Sequence, residues 1–262
     1  MQPSPPSLVI AGHSHAVALG VTPTSGAVQP RLRPIAFEGL PILGVEGSWP
    51  RDERYWQFFE HFSANQCPVV VWEGNQHEAF FLFEHKPAFD FVLSFAPNWP
   101  VLLDVLLIPE SQLRAFLAPT IAPLSELLDR LGAQTDHPIF VTGTPPPKGD
   151  EAELRARINV DSILLKWAAA AGPDPLTVNL TPRPVMLKLW MLVQDMMAQV
   201  ARSAGAVFVP VPARAKDGGG YLAREYWAAD VTHANGAFGR VMLEEVVAAA
   251  GPAGAAPTLA TA

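Results

Sequence analysis

Separate short segments of this 262-residue chain carry side chains that could cooperate in acyl transfer. Gly12-His13-Ser14-His15 sets a hydroxyl between two imidazoles. Asp230-Val231-Thr232-His233 sets a carboxylate three residues ahead of an imidazole. A serine hydroxyl is a weak nucleophile and needs a base to take its proton. His233 can be that base, and Asp230 can accept the hydrogen on the other ring nitrogen and fix the tautomer. The side-chain amide of Asn75 and a backbone amide beside a glycine can stabilise an oxyanion, where one lost donor costs about 10²–10³ in rate. Taken singly, Ser14 and Asn75 read more simply as turn residues, and Asp230 as a cap. Their order along the chain is what joins them.

The elements that must position these residues can be read from periodicity. Leu8-Val9-Ile10-Ala11 is a short apolar run that ends at Gly12, and Pro68 to Trp72 is the clearest β-branched run. Pro138 to Val141 and Ala206 to Val211 read as further strands, and Pro34 to Phe37 as a weaker one. Glu38 to Trp49, with Gly39, Gly44 and Gly47, reads as a loop. Helices are expected at Tyr55–Phe62, Leu124–Gly132, Glu151–Ala170, Pro184–Ala204 and Ala237–Ala250. Short buried strands alternating with helices predict a mainly parallel sheet covered on both faces, a three-layer α/β/α sandwich. The loops beyond the strands' carboxyl ends then gather on one edge, where such folds place their sites. Residues 1–250 read as one domain, 80–119 as an insertion or lid, and 251–262 as a low-complexity, disordered tail.

Composition narrows the classes. Hydrophobic residues make up 49% and charged residues 16%, the reverse of a disordered chain. The net charge of −7 argues against a general nucleic-acid binder. The one cysteine, Cys67, permits neither an intramolecular disulfide nor a cysteine-based zinc site. Met1 to Ser7 lacks the basic start of a secretory signal, and Phe91 to Ile108 is too interrupted to span a bilayer. The expectation is a soluble cytoplasmic protein without a membrane partner. His13, His15 and His77 could form a metal site, but the preferred reading has no metal and no cofactor. Arg51-Asp52-Glu53-Arg54 reads as a solvated surface.

These residues resemble the SGNH hydrolases, a branch of the GDSL-type esterases. Gly12-His13-Ser14 resembles the family's first block, Asn75 after the Val69–Trp72 strand its third, and Asp230-x-x-His233 its last. The likeness spans Leu8 to Val247. It departs from the family pattern at His13, where an aspartate is usual, and at Glu73 and Gln76 around Gly74-Asn75. The resemblance implies a flavodoxin-like α/β/α fold, a Ser14-His233-Asp230 triad, and an oxyanion hole made by the Ser14 and Gly44 amides with the Asn75 side chain. Gly39 and Gly47 are alternatives to Gly44. The implied activity is a serine esterase acting on an O-acyl ester of a small molecule or carbohydrate. An acyltransferase with the same triad and a non-catalytic binding domain are the alternatives.

Overall fold

The computed structural model describes residues 7–24, 28–171 and 177–251. The expected C-terminal tail, 251–262, lies outside the described residues apart from Gly251. In chain order the strands are β1 (Leu8–Gly12), β2 (Pro23–Thr24), β3 (Arg31–Ile35), β4 (Ile42–Ser48), β5 (Cys67–Val71), β6 (Phe89–Asp90), β7 (Leu106–Leu107), β8 (Phe140–Thr142) and β9 (Val207–Val209). The helices are α1 (Glu53–Ser63), α2 (Gln76–Phe81), α3 (Glu110–Gly132), α4 (Glu151–Ile158), α5 (Ser162–Ala171), α6 (Arg183–Ser203) and α7 (Gly236–Ala250).

The main sheet runs β4-β1-β5-β8-β9, all parallel. On the outer edge of β4, β3 pairs antiparallel and β2 pairs parallel. β1 is central and its five residues are buried. Alternation along it sorts the core into two layers. Leu8 and Ile10 join Val69, Val71 and, from α7, Phe238, Met242 and Val246. Val9 and Ala11 join Val70 and, from the opposite face, Phe59, Leu117, Leu124, Leu189 and Val193. Burial on both faces is why these strands read as unbroken apolar runs.

Several elements differ from expectation for identifiable reasons. The segment expected as a loop at 38–49 contains β4, a seven-residue strand beside β1. Its glycines and buried Glu46 hide it, because Glu46 is neutralised by Arg31 at 3.0 Å and Arg33 at 3.2 Å from the neighbouring β3. The expected Leu124–Gly132 helix begins fourteen residues earlier, at Glu110, and carries Pro119 and Pro123 inside it. The expected Glu151–Ala170 helix is two helices, α4 and α5. Between α2 and α3, β6 and β7 pair with each other. Their segment is tied to α6 by a fully buried ion pair between Asp90 and Lys188. Lys188 Nζ also donates to the carbonyls of Phe91 at 3.0 Å and Pro100 at 3.1 Å. No helix among the described residues is long and apolar enough to cross a membrane.

Candidate active site

The first loop is shaped by close approach. β1 and β5 stay paired up to Gly12 and Val71. A Cβ on Gly12 would lie 2.3 Å from the Val71 carbonyl oxygen, so only glycine fits. The Tyr55 hydroxyl accepts from the Gly12 amide at 2.9 Å, and the His13 amide donates to the Val71 carbonyl at 3.0 Å. With the strand end so fixed, Ser14 opens a single 3₁₀ turn, Ser14–Val17.

The Asp230–His233 turn is held by its own side chain. Asp230 Oδ1 accepts from the Thr232 amide at 2.9 Å and the His233 amide at 2.7 Å. Its other oxygen, Oδ2, lies 2.9 Å from His233 Nδ1. Burial pushes the Asp230 carboxyl up, but the His233 ring, the His233 amide and the nearby Lys148 charge outweigh it and hold the group well below the carboxylate range. His233 Nε2 is buried and unpartnered. Immediately after, Asn235 caps α7 by accepting from the amides of Ala237 at 2.9 Å and Phe238 at 3.3 Å.

Ser14, Asp230 and His233 line one pocket of about 530 Å³, with Val17, Ala234, Trp49 and Arg51. The structure thus brings together three residues from the chain's two ends. Ser14 and His233 are not hydrogen-bonded here, and such contacts often tighten only when substrate binds. Asn75 does not line this pocket. It stands half-buried at the N-cap of α2, and its side chain caps nothing. It follows Gly74, whose positive φ and close packing on Thr144, with a built Cβ 2.2 Å from Oγ1, demand glycine.

Gly44 is not at the site. It sits mid-strand, paired with Ile10 of β1 and Arg33 of β3, below the strand's carboxyl end. Its lack of a side chain serves packing, since a Cβ there would meet Ile35 at 3.0 Å and Val21 at 3.2 Å. Gly47, three residues on, lies nearer the strand's carboxyl end and the Ser14 turn. Arg51 joins the two, donating from Nη1 to the Gly47 carbonyl at 2.5 Å and from Nε to the Gly12 carbonyl at 3.1 Å. Arg51 is therefore part of the pocket wall, where a solvated surface was expected.

Sequence reading also missed a buried polar layer behind this pocket. Lys148, 1% exposed, donates to the carbonyl of Ala228 at 3.1 Å and to that of Asp230. Arg157 Nη1 donates to the same two carbonyls, at 2.8 and 3.2 Å. Two cations thereby clamp the turn that carries Asp230. Burial lowers Lys148 to about 8, against the pull of Asp230. Glu78 is pushed up to about 7 by burial, against the charges of Arg183, Lys148 and His233. His77 is lowered to about 3 by burial and Arg183, and His15 well below its ordinary range by burial, His233 and His77. His13 is lowered to about 4 by burial and Arg51, among the rings of Trp49, Trp56 and Trp72. These histidines are neutral at pH 7. No group of three or more His, Cys, Asp or Glu side chains among the described residues could hold a metal ion. Lys148 carries no local signal in the sequence beyond its place after a strand and three prolines.

Comparison with solved structures identifies the fold. A catalytic mutant of an acetylxylan esterase from Geobacillus stearothermophilus superposes with a TM-score of 0.51 at 12% identity, covering 96% of this chain and 97% of that one. A putative acylhydrolase from Bacteroides fragilis matches with a TM-score of 0.49 at 12% identity, covering 95% and 90%. A GDSL-like lipase from Bacteroides thetaiotaomicron matches with a TM-score of 0.45 at 14% identity, covering 95% and 91%. No family model and no curated protein sequence matches the chain. The parallel sheet flanked by helices is the three-layer α/β/α fold that this chain shares with the acetylxylan esterase, the fold that the SGNH resemblance implies.

Proposed function

We propose that the protein is a serine esterase that hydrolyses an O-acyl ester of a small molecule or carbohydrate through Ser14, His233 and Asp230. The observation that carries this reading is the 2.9 Å contact between His233 Nδ1 and Asp230 Oδ2 in a pocket that Ser14 also lines. Fold alone does not assign an activity, so the reading rests on this geometry. Asp230 holds the His233 tautomer with Nδ1 protonated, which leaves Nε2 as the base. Nε2 takes the Ser14 proton while Oγ attacks the ester carbonyl. The developing oxyanion is held by the Ser14 amide, with Gly47 in the role first expected of Gly44; the Asn75 side chain, which does not line the pocket, is assigned there from the family resemblance alone. His233 returns the proton to the leaving alcohol. Water then cleaves the acyl-enzyme by the same route in reverse. The acyl transferase alternative differs only in this last acceptor.

The test is hydrolysis of p-nitrophenyl acetate by wild type, Ser14→Ala and His233→Ala, with fluorophosphonate labelling mapped by mass spectrometry. Label on Ser14 and loss of turnover in both variants is expected. Asn75→Ala tests the assignment made from the resemblance: a kcat lowered about 10²–10³-fold with little change in KM supports it, and an unchanged kcat removes Asn75 from the oxyanion hole. Equal turnover by wild type and Ser14→Ala would remove the mechanism.

A further inference from the structure

Arg51 presents an uncompensated positive charge beside the nucleophile. Its Nε donates to the Gly12 carbonyl, and its Nη1 to the carbonyls of Gly47 and, at 3.1 Å, Ser48. The guanidinium carbon lies 4.2 Å from the Tyr55 ring centroid and 5.9 Å from that of Trp49. Every acceptor it uses is a neutral backbone oxygen. No ion pair joins it to a carboxylate among the described residues, whereas Arg54, three positions on, pairs with Asp52 at 3.0 Å. Nη2 has no hydrogen-bond partner among the described residues.

A guanidinium cannot shed its proton, so this charge persists at any working pH. It is also rigidly placed, because its contacts fix Nε, Nη1 and the plane of the group. The anion across the same pocket, Asp230, is already committed to His233 and two backbone amides. Glu73, the other nearby carboxylate, lies 3.9 Å from the His13 ring. The rest of the lining is largely apolar: Val17, Ala18, Trp49, Ala228 and Ala234. The whole chain carries −7, so the free charge of this pocket is opposite in sign to the molecule. Buried or half-buried charges favour a partner of opposite sign, and the flat guanidinium fork suits a carboxylate.

We propose that Arg51 is a specificity-determining residue that selects esters bearing a carboxylate close to the scissile bond. This rests on the esterase reading for its reaction but not for its binding. A pocket of about 530 Å³ holds a small acyl ester together with such a group.

The experiment uses two substrate pairs that differ only in charge. Mono-p-nitrophenyl adipate against the p-nitrophenyl ester of adipamic acid tests the acyl side. 4-Acetoxybenzoate against 4-acetoxybenzamide tests the alcohol side. Wild type should prefer the charged member of at least one pair by tenfold or more in kcat/KM, mostly through KM. The preference should vanish in Arg51→Met, survive in part in Arg51→Lys, and shrink with added salt. Arg51→Lys retains the charge, so it reads the proposal even where Arg51→Met loosens the strand ends. Equal rates within both pairs, or a preference that survives Arg51→Met, would overturn it. If wild type hydrolyses none of these esters, calorimetry with benzoate decides the site alone. Binding that Arg51→Met abolishes keeps the anion site and removes the esterase, and no binding removes the anion site too.

Discussion

Replacing Gly239 by alanine should disable the site while leaving the fold intact. Gly239 is the fourth residue of α7, which begins three residues after His233. There the helix meets the chain that leaves the Ser14 turn. A Cβ on Gly239 would fall 1.7 Å from the Ala18 carbonyl oxygen, 2.2 Å from its carbon and 2.8 Å from the Leu19 nitrogen. All are backbone atoms, so no side-chain rotation relieves the clash. Reaching even 3.0 Å from the oxygen requires α7 and the Ser14 turn to part by about 1.3 Å. One of these two bodies leads to His233 and the other to Ser14. Misplacing reacting groups by about 1 Å can cost roughly 10²-fold. Overpacking of this kind costs about 1–3 kcal/mol of stability.

Gly236 supplies the control. It opens the same helix and has nothing within 4 Å of a built Cβ. Gly236→Ala should keep full activity. Steady-state hydrolysis of p-nitrophenyl acetate, the rate of fluorophosphonate labelling at Ser14 and urea denaturation would be measured on both variants. The expected outcome for Gly239→Ala is a folded protein with a hundredfold lower kcat and slower labelling. Wild-type kcat in Gly239→Ala would refute the idea that this contact aligns Ser14 with His233.

Stability should fall steeply as the solution is acidified. His13, His15 and His77 have folded values below the ordinary 6.5, so the unfolded chain binds their protons first and stability declines as pH drops below 6.5. Glu78 acts oppositely, because its folded value of about 7 lies above 4.5 and the folded chain holds that proton longer. Near pH 5 the histidines outweigh Glu78, so unfolding takes up protons and stability falls as the pH is lowered. Urea midpoints between pH 4.5 and 6.5 check it, and a flat profile would contradict neutral buried histidines. Lys188→Met leaves Asp90 buried without its partner and should cost about 3–5 kcal/mol by denaturant titration, part of it recovered on adding Asp90→Asn. Lys148→Met removes one of the two cations clamping the Asp230 turn. It should lower kcat about tenfold, equivalent to about 1.4 kcal/mol, with KM unchanged, and an unchanged kcat would show that Arg157 suffices.

Much of the fold was legible because the inner strands are buried on both faces. Leu8–Ala11 and Val69–Val71 are unbroken apolar runs that stop at a polar loop, and each leads to a residue of interest. α6 and α7 declare themselves by periodicity and by their boundaries, at Pro184 and Asn235 on entry and Gly205 and Gly251 on exit. The failures have a common cause: tertiary partners outside the window being read. Glu46 inside β4 is acceptable only because Arg31 and Arg33 reach it from β3. Pro119 and Pro123 sit within α3, whose buried face of Leu113, Leu117, Ile121 and Leu124 packs into the core and outweighs their disruption. Arg51 lies in a charged run, yet its neighbours in space are strand-end carbonyls and aromatic rings.

The glycines show how far local sequence reaches. Gly12, Gly47, Gly74 and Gly239 lack room for a side chain and Gly44 has little, for unlike reasons. At Gly12, Gly74 and Gly239 the obstruction is a neighbouring loop or strand end, so the absence of a Cβ sets how closely the loops at this edge of the sheet approach one another. At Gly44 the obstruction is the side chains of Ile35 and Val21, so the absence serves sheet packing. Nothing in the letters distinguishes these uses. What distinguishes them is register: Ile10 lies opposite Gly44, which leaves that glycine well short of the strand end, whereas Arg51 binds the carbonyls of Gly12 and Gly47 together. Register is decided by which side chains each face must pack, and a shift of one residue would exchange the sets that meet α7 on one face and α3 and α6 on the other. Which glycine of β4 stands at the level of Gly12 is therefore a consequence of core packing between β1, β3 and β4, and that glycine is Gly47, whose carbonyl shares Arg51 with that of Gly12.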